Sequence, residues 1–276
     1  MVQTEHRAMA DISYLRDEVG LKSTAIDWER LLTINYRAYL QRGCSVIDVG
    51  AHHGMHSRRF LRYLRPRHLV LVEPVPEMAA ALRREFRRRP KVEVRQVALG
   101  EKSQQTSFVV NDGYLGESGL LEWRFPRTDG PIRSIDVTME TLDDWNLPFA
   151  VEFMKVNVQG CEVDVLRGGR TFLRKDRPIV SVEYGAQGYT AYGCDAMTLY
   201  HFAIDNDYAV ADLFGNIIDQ DEWPLVVDTY YWDYILLPAE MVAATADRRA
   251  RIRHAALRSA THPHPHIERW RKRLRR

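Results

Sequence analysis

Asp48, Gly50 and Gly54 stand in the stretch Asp48-Val-Gly-Ala-His-His-Gly54, directly after the β-branched run Ser45 to Val49. A glycine at such a turn lets backbone pass close to a ligand where a Cβ would clash. The carboxylate of Asp48 suits a cationic group such as an amino acid's ammonium and would repel a pyrophosphate. The Gly-x-Gly-x-x-Gly spacing of dinucleotide sites is absent. A second acid, Glu73, ends the run Leu-Val-Leu-Val-Glu-Pro, about 20 residues past the glycine turn, where a carboxylate accepts hydrogen bonds from both hydroxyls of a ribose. Val97, Ala98 and Leu99, in Gln96-Val-Ala-Leu-Gly100, offer apolar surface for a flat ring. Each feature alone has a plainer reading, as a tight turn, a strand-ending glutamate and a strand end.

These residues need a scaffold that brings strand ends together. Residues 26 to 42 read as an amphipathic helix through Trp28, Leu31, Leu32, Ile34, Tyr36 and Leu40, stopped by Gly43. Strands are expected at Ser45–Val49, His68–Val72, Val92–Ala98, Glu152–Asn157 and Pro178–Tyr184. Helices fall between them, including Pro76–Arg88, Cys161–Leu173 and Asp195–Asn206. Tyr208–Leu213 and Trp232–Leu237 flank Gly215-Asn216 as an antiparallel pair. The alternation predicts an α/β, Rossmann-like domain: a seven-stranded, mostly parallel sheet with an antiparallel edge strand and helices on both faces. Residues 100–150 form an insertion with strand-like pieces at Thr106–Val110 and Ile132–Thr138. The expected division is an N-terminal helical cap (1–42), a catalytic domain (43–238) and a C-terminal helix with a basic tail (239–276).

The 276 residues carry 39 Lys+Arg against 37 Asp+Glu, a formal charge of +2, so no global basic field points to nucleic acid. From Arg248 onward a local excess of arginine builds up and includes the His-Pro-His-Pro-His run at 262–266; a solvated face, a homodimer contact and an anionic partner all fit it. Cys44, Cys161 and Cys194 suit neither a disulfide framework nor a zinc site. Met1 to Gly20 lacks the apolar run of a signal peptide or a membrane span, which points to the cytoplasm.

The ordered set Asp48-Val-Gly-Ala-His-His-Gly54, Val72-Glu-Pro74, Val97-Ala-Leu-Gly100, Thr141-Leu-Asp-Asp144, Met154-Lys-Val-Asn-Val-Gln-Gly-Cys-Glu162, Val165-Leu-Arg-Gly-Gly169 and Val182-Glu183 resembles the FkbM-type methyltransferases over roughly residues 40–185. The resemblance implies a class I methyltransferase fold, S-adenosylmethionine as cofactor, and transfer of a methyl group to a hydroxyl of a small polar acceptor. A sugar such as a mannoside or an oligosaccharide precursor is the expected acceptor; another natural product or RNA is the alternative. By the same resemblance Asp48, Gly50, His52, His53, Gly54 and Glu73 hold the cofactor, with Ala98 and Leu99 at the adenine and Ser118 reaching the cofactor from the insertion.

The chain departs from the family where Lys-Ile-Asp-Val-Glu-Gly is common, having Asn157 and Gln159 in place of both acids. An amide orients but does not deprotonate, so Asn157 and Gln159 become positioning groups. Glu183 is the first candidate for the base that takes the hydroxyl proton, His53 the second; a glutamate there could also cap a helix. Asn157 and Glu183 are hard oxygen donors that a magnesium ion could use, although no dense carboxylate cluster marks a metal site. Among the aromatics, Tyr114, Tyr189 and Tyr192 sit in glycine-rich loops and are the expected sugar contacts, with packing of the sheet edge as the alternative.

Overall fold

The computed structural model describes residues 6–113, 118–120 and 130–261. Strands β1 (Ser45–Val49), β2 (His68–Val72) and β3 (Val92–Arg95) alternate with helices α3 (Met55–Tyr63) and α4 (Pro76–Phe86). Residues of β1 are buried throughout, as befits a central parallel strand covered on both faces. Strands β7 (Phe153–Val156) and β8 (Ile179–Glu183) continue the parallel array on the other side of β1. The helix expected over Cys161–Leu173 is instead two, α5 (Glu162–Arg167) and α6 (Arg170–Asp176), separated at Gly168-Gly169.

Beyond β8 come α7 (Ala186–Tyr189), α8 (Thr198–Asp205), β9 (Tyr208–Ala211), β10 (Ile217–Ile218), α9 (Trp223–Val226) and β11 (Asp233–Pro238). The sheet order is β10-β9-β11-β8-β7-β1-β2-β3. The α/β class is as expected. Strand β11 runs antiparallel to both β8 and β9, and the two-residue β10 adds an eighth strand, again antiparallel, at the edge.

The third expected strand, Val92–Ala98, stops at Arg95. Its last residue, Ala98, belongs instead to β4 (Ala98–Leu99), which pairs with the insertion, where β5 (Gln104–Asn111) and β6 (Ile132–Glu140) form an antiparallel hairpin. This second sheet, ordered β4-β6-β5, has its own small core of Val75, Met78, Ala98, Phe108, Val110, Val137 and Met139. That core fastens the insertion to the start of α4 and so places β4 beside the end of β2.

At the chain ends, α2 (Trp28–Tyr39) packs on α11 (Ala246–Thr261), α1 (Arg7–Ser13) is joined to α11 through Asp11 and Arg253, and α10 (Met241–Ala244) packs between β11 and α11. Asp27 caps α2 by accepting from the Arg30 N–H at 3.0 Å. Among the described residues, no helix is long and apolar enough to cross a membrane. The run at 262–266 lies outside the described residues.

Candidate functional site

A cleft of about 960 Å³, open to solvent, runs along the carboxyl ends of β1, β2, β4 and β7. Its floor is the turn after β1. The Gly50 and Ala51 amides both donate to the Val72 carbonyl at 3.0 Å, which tilts the turn toward β2. Gly50 has φ +75°, and a Cβ there would lie 1.9 Å from the Asn157 carbonyl oxygen. Only glycine lets the loops after β1 and β7 close on each other in this way.

Glu73 is buried at the end of β2. One carboxylate oxygen accepts from the His52 N–H at 2.8 Å and the other from the Val75 N–H at 3.0 Å. Burial raises its pKa to about 7 against the pull of those two amides, with the Asp48 charge adding to the rise. Each oxygen keeps a lone pair for a donor in the cleft. Beyond it the wall turns apolar through Val72, Pro74, Val75, Val97, Ala98, Leu99, Phe108 and Leu120. Ser118 joins this end, its hydroxyl oxygen accepting from the Asn111 N–H at 3.1 Å.

The two histidines after Gly50 line the cleft with rings 4.0 Å apart. His52 is held neutral, at about 4, by burial and by the neighbouring His53 and Lys155, and its Nε2 is buried without a protein partner. His53 is exposed. Asp48, expected to hold the cofactor, is not among the residues that line the cleft. One oxygen accepts from the Ser57 hydroxyl at 2.6 Å, tying β1 to the start of α3, and the other is buried without a protein partner. Gly54 (φ +73°) starts α3 beneath Leu82 and Phe86, and is likewise not on the cleft wall.

The opposite end of the cleft is polar and includes residues that sequence reasoning missed. Glu29 reaches it from α2, paired with Arg59 and 3.3 Å from His56 Nε2. Burial opposes its ionisation, but His56 and Arg59 outweigh that and hold Glu29 at about 2. Lys155 is buried in β7 and lines the cleft beside Asn157. A lysine within the apolar stretch Phe153–Val156 was a usable signal. Nothing local marked Glu29, which a distant helix delivers.

Gln159 has φ +60° and donates its amide to Asn157 Oδ1 at 3.3 Å. It lines the cleft and also a second, smaller pocket with Gly160, Glu162, Glu183, Gly185, Gln187, Gly188 and Trp232. Glu183 is therefore beside the main cleft rather than on its wall. Burial raises its pKa, while Lys155 and the Asn157 side chain work the other way. Glu162 accepts from the Val158 and Gly160 amides, and burial raises it to about 7.

The tyrosines expected to contact an acceptor do not gather here. Tyr189 is buried, stacked on Tyr184 at 4.4 Å, with its hydroxyl donating to Asp228 at 2.6 Å. Tyr192 packs against Gly160, and Tyr114 lies outside the described residues. No group of three or more His, Cys, Asp or Glu able to hold a metal ion occurs among the described residues.

Comparison with known proteins agrees with the residue pattern. The Methyltransferase FkbM domain model matches residues 48–217. The 2-O-methyltransferase NoeI of Sinorhizobium fredii is 30% identical over 159 residues, which is 51% of this chain and 63% of that protein, so the match spans less than two thirds of the relative. Among solved structures, Methyltransferase FkbM from Methylobacillus flagellatus KT is similar at 13% identity and a TM-score of 0.47, covering 72% of this chain and 47% of that one. Fibrillarin from Aeropyrum pernix, solved with natively bound S-adenosyl-L-methionine, has 15% identity and a TM-score of 0.41 over 75% and 73% of the two chains. The family match takes in more than half of the sequence, with the glycine turn, Glu73 and the strand pair β7–β8 inside it: the chain belongs to the FkbM methyltransferase family.

Proposed function

We propose that the protein is an S-adenosylmethionine-dependent O-methyltransferase whose acceptor is a hydroxyl of a small polar molecule, a sugar in our reading. The observation that carries the proposal is Glu73, whose carboxylate is fixed by two backbone amides at the edge of a cleft that turns apolar beyond it. A ribose diol beside an adenine ring has the matching donors and apolar faces. The Gly50 turn, with no room for a Cβ, fits a ligand that approaches backbone closely. The unpartnered His52 Nε2, on a residue that lines the cleft, is a polar atom that such a ligand, or water carried with it, would satisfy. O-methylation is favoured by the name of the NoeI relative.

When bound, the cofactor supplies an electrophilic methyl group on a sulfonium. The chain's own work is alignment, exclusion of water and removal of one proton. In this reading Val97, Ala98, Leu99 and Ser118 hold the nucleoside end. Gln159 and Asn157, linked through their amides, orient the acceptor hydroxyl. Glu183 takes its proton, helped by the burial that makes its carboxylate more basic; His53, on the cleft wall, is the second candidate.

Calorimetry with S-adenosylhomocysteine and with NAD tests the cofactor, and transfer of a labelled methyl group to mono- and disaccharides, with and without chelator, tests the acceptor and any need for magnesium. Heat with the first ligand alone, together with label on a sugar oxygen, is expected. Absence of heat with S-adenosylhomocysteine overturns the proposal.

A further inference from the structure

The pocket beside the cleft has a composition that selects among acceptors. It is a shallow recess, partly open to solvent, lined in part by Gln159, Glu183, Gln187 and Trp232. Trp232 stands at it with 44% of its surface exposed, among the few large apolar side chains left open to solvent. Its ring lies against Gly185, where a Cβ would come within 3.1 Å of the indole. Gly160 and Gly188 close another wall by backbone contact, which leaves a smooth surface without side chains.

The hydrogen-bonding groups around the indole are two amides, Gln159 and Gln187, and two carboxyls, Glu162 and Glu183. Neither Lys nor Arg is among the described residues that line this pocket. A phosphate or carboxylate ligand would therefore meet acids and no cation. A pyranose ring presents a C–H face to an aromatic plane and hydroxyls to amides and carboxyls, and it matches this set without charge. Gln159 belongs to both spaces and is held in the left-handed backbone region, so a ring seated here has a hydroxyl next to the cleft.

We infer that this pocket is the acceptor subsite, that it takes an uncharged sugar ring stacked on Trp232, and that it disfavours anionic sugars. The inference rests on the O-methyltransferase reading of the cleft. In that arrangement the aromatic contact comes from Trp232 rather than from Tyr189, which is buried in the core.

The test uses the full chain saturated with S-adenosylhomocysteine. Saturation-transfer NMR is recorded with methyl mannoside, methyl fucoside, methyl glucoside and mannose 6-phosphate, on wild type, Trp232→Ala, Trp232→Phe and Gln187→Ala. Expected is binding of at least one glycoside, weakened about tenfold by Trp232→Ala, largely recovered by Trp232→Phe, and weakened severalfold by Gln187→Ala. Mannose 6-phosphate is expected to bind more weakly than methyl mannoside. Binding undiminished in Trp232→Ala, absence of any glycoside signal in wild type, or preference for the phosphorylated sugar overturns the subsite. Trp232 is exposed, so its loss leaves the core intact, and the Phe and Gln187 variants keep the test decisive should the Ala variant misfold. Calorimetry with S-adenosylhomocysteine is run on the same samples. Its failure in wild type brings down the cofactor reading, whereas normal heat with unchanged glycoside binding in Trp232→Ala brings down the subsite alone.

Discussion

Asp233 in β11 stands directly across the antiparallel ladder from Glu183 in β8. Two carboxyl groups thus share space near the Lys155 ammonium, which lowers both their pKa values, while burial raises them and Glu183 raises Asp233 further. Like charges facing each other across strands are destabilising. Both carboxyls are thus held above the ordinary carboxylate range, chiefly by burial, and titrate as a coupled pair.

This pair gives the first prediction. Both folded-state values are raised, so the stability they contribute is present at low pH and is lost as pH rises through those values. Asp233→Asn removes the repulsion and leaves Glu183 with Lys155. We expect a gain of about 1 kcal/mol at pH 8, a melting point higher by about 2–4 °C, and little change at pH 5. The acid limb of the kcat/KM profile should move to lower pH, because Glu183 then ionises more easily. Melting curves at both pH values check the first expectation, and equal shifts at the two would contradict it.

Glu73 gives the second. Hydrogen bonds to an ionised carboxylate contribute about 1.5–3 kcal/mol, so Glu73→Ala should weaken S-adenosylhomocysteine roughly ten- to a hundredfold. The group's pKa is raised to about 7, chiefly by burial. Its favourable contribution to the free protein's stability therefore belongs to the protonated form and fades as pH rises through 7. Ligand hydroxyls favour the ionised form, so wild-type affinity should tighten from pH 6 to pH 8. Glu73→Gln should flatten that dependence. Titration calorimetry across this range would expose a pH-independent wild type, which is the contrary result.

How much of this was legible depended on whether the signal was local. Asp48, Gly50 and Glu73 announce themselves through strand ends and spacing, and the turn and the buried acid are where the pattern puts them. The direction of a side chain at a strand end is a different matter. Asp48 turns to Ser57 because α3 brings a hydroxyl within 2.6 Å, a contact that the glycine pattern does not encode. Tyr189 and Trp232 are both aromatics in the segment after β8, yet one is buried and the other exposed, because packing on Tyr184 and Asp228 decides which ring turns inward. Glu29 comes from a helix whose place is set by packing on α11, far away in sequence. The strand switch at Ala98 depends on a pairing with Met139 that periodicity cannot show.

The third prediction concerns Gly50. A Cβ at this position would meet the Asn157 carbonyl oxygen at 1.9 Å, and backbone on both sides prevents easy relief. Gly50→Ala should cost about 2–4 kcal/mol through overpacking and positive φ, and should abolish S-adenosylhomocysteine binding. Gly193 is the control: its φ is +70°, but nothing lies within 4 Å of its Cβ position. Gly193→Ala should cost only about 1–2 kcal/mol and leave binding intact. Chemical denaturation of the two variants side by side separates crowding from strain. Equal losses would mean that the contact with Asn157 does not govern the turn.

The fourth prediction concerns the closure of the chain ends on the sheet. Asp11 in α1 is buried and accepts from Arg253 Nε of α11 at 2.9 Å and from Asn216 Nδ2, beside β10, also at 2.9 Å. One carboxylate thus joins the first helix, the sheet edge and the last helix. Arg253→Ala leaves that carboxylate buried with Asn216 as its remaining donor among these two, and a hydrogen-bonded charge left short of a partner costs about 1.5–3 kcal/mol. Arg253 is itself about half exposed, so the lower half of that range is the better expectation. Arg253→Lys keeps the charge but not the two-pronged geometry and should recover only part of the loss. Because Glu29 reaches the cleft from α2, which packs on α11, loosening this joint should also raise KM for the acceptor while S-adenosylhomocysteine affinity stays within about twofold. A stability loss with unchanged KM would confine Asp11 and Arg253 to holding the chain ends.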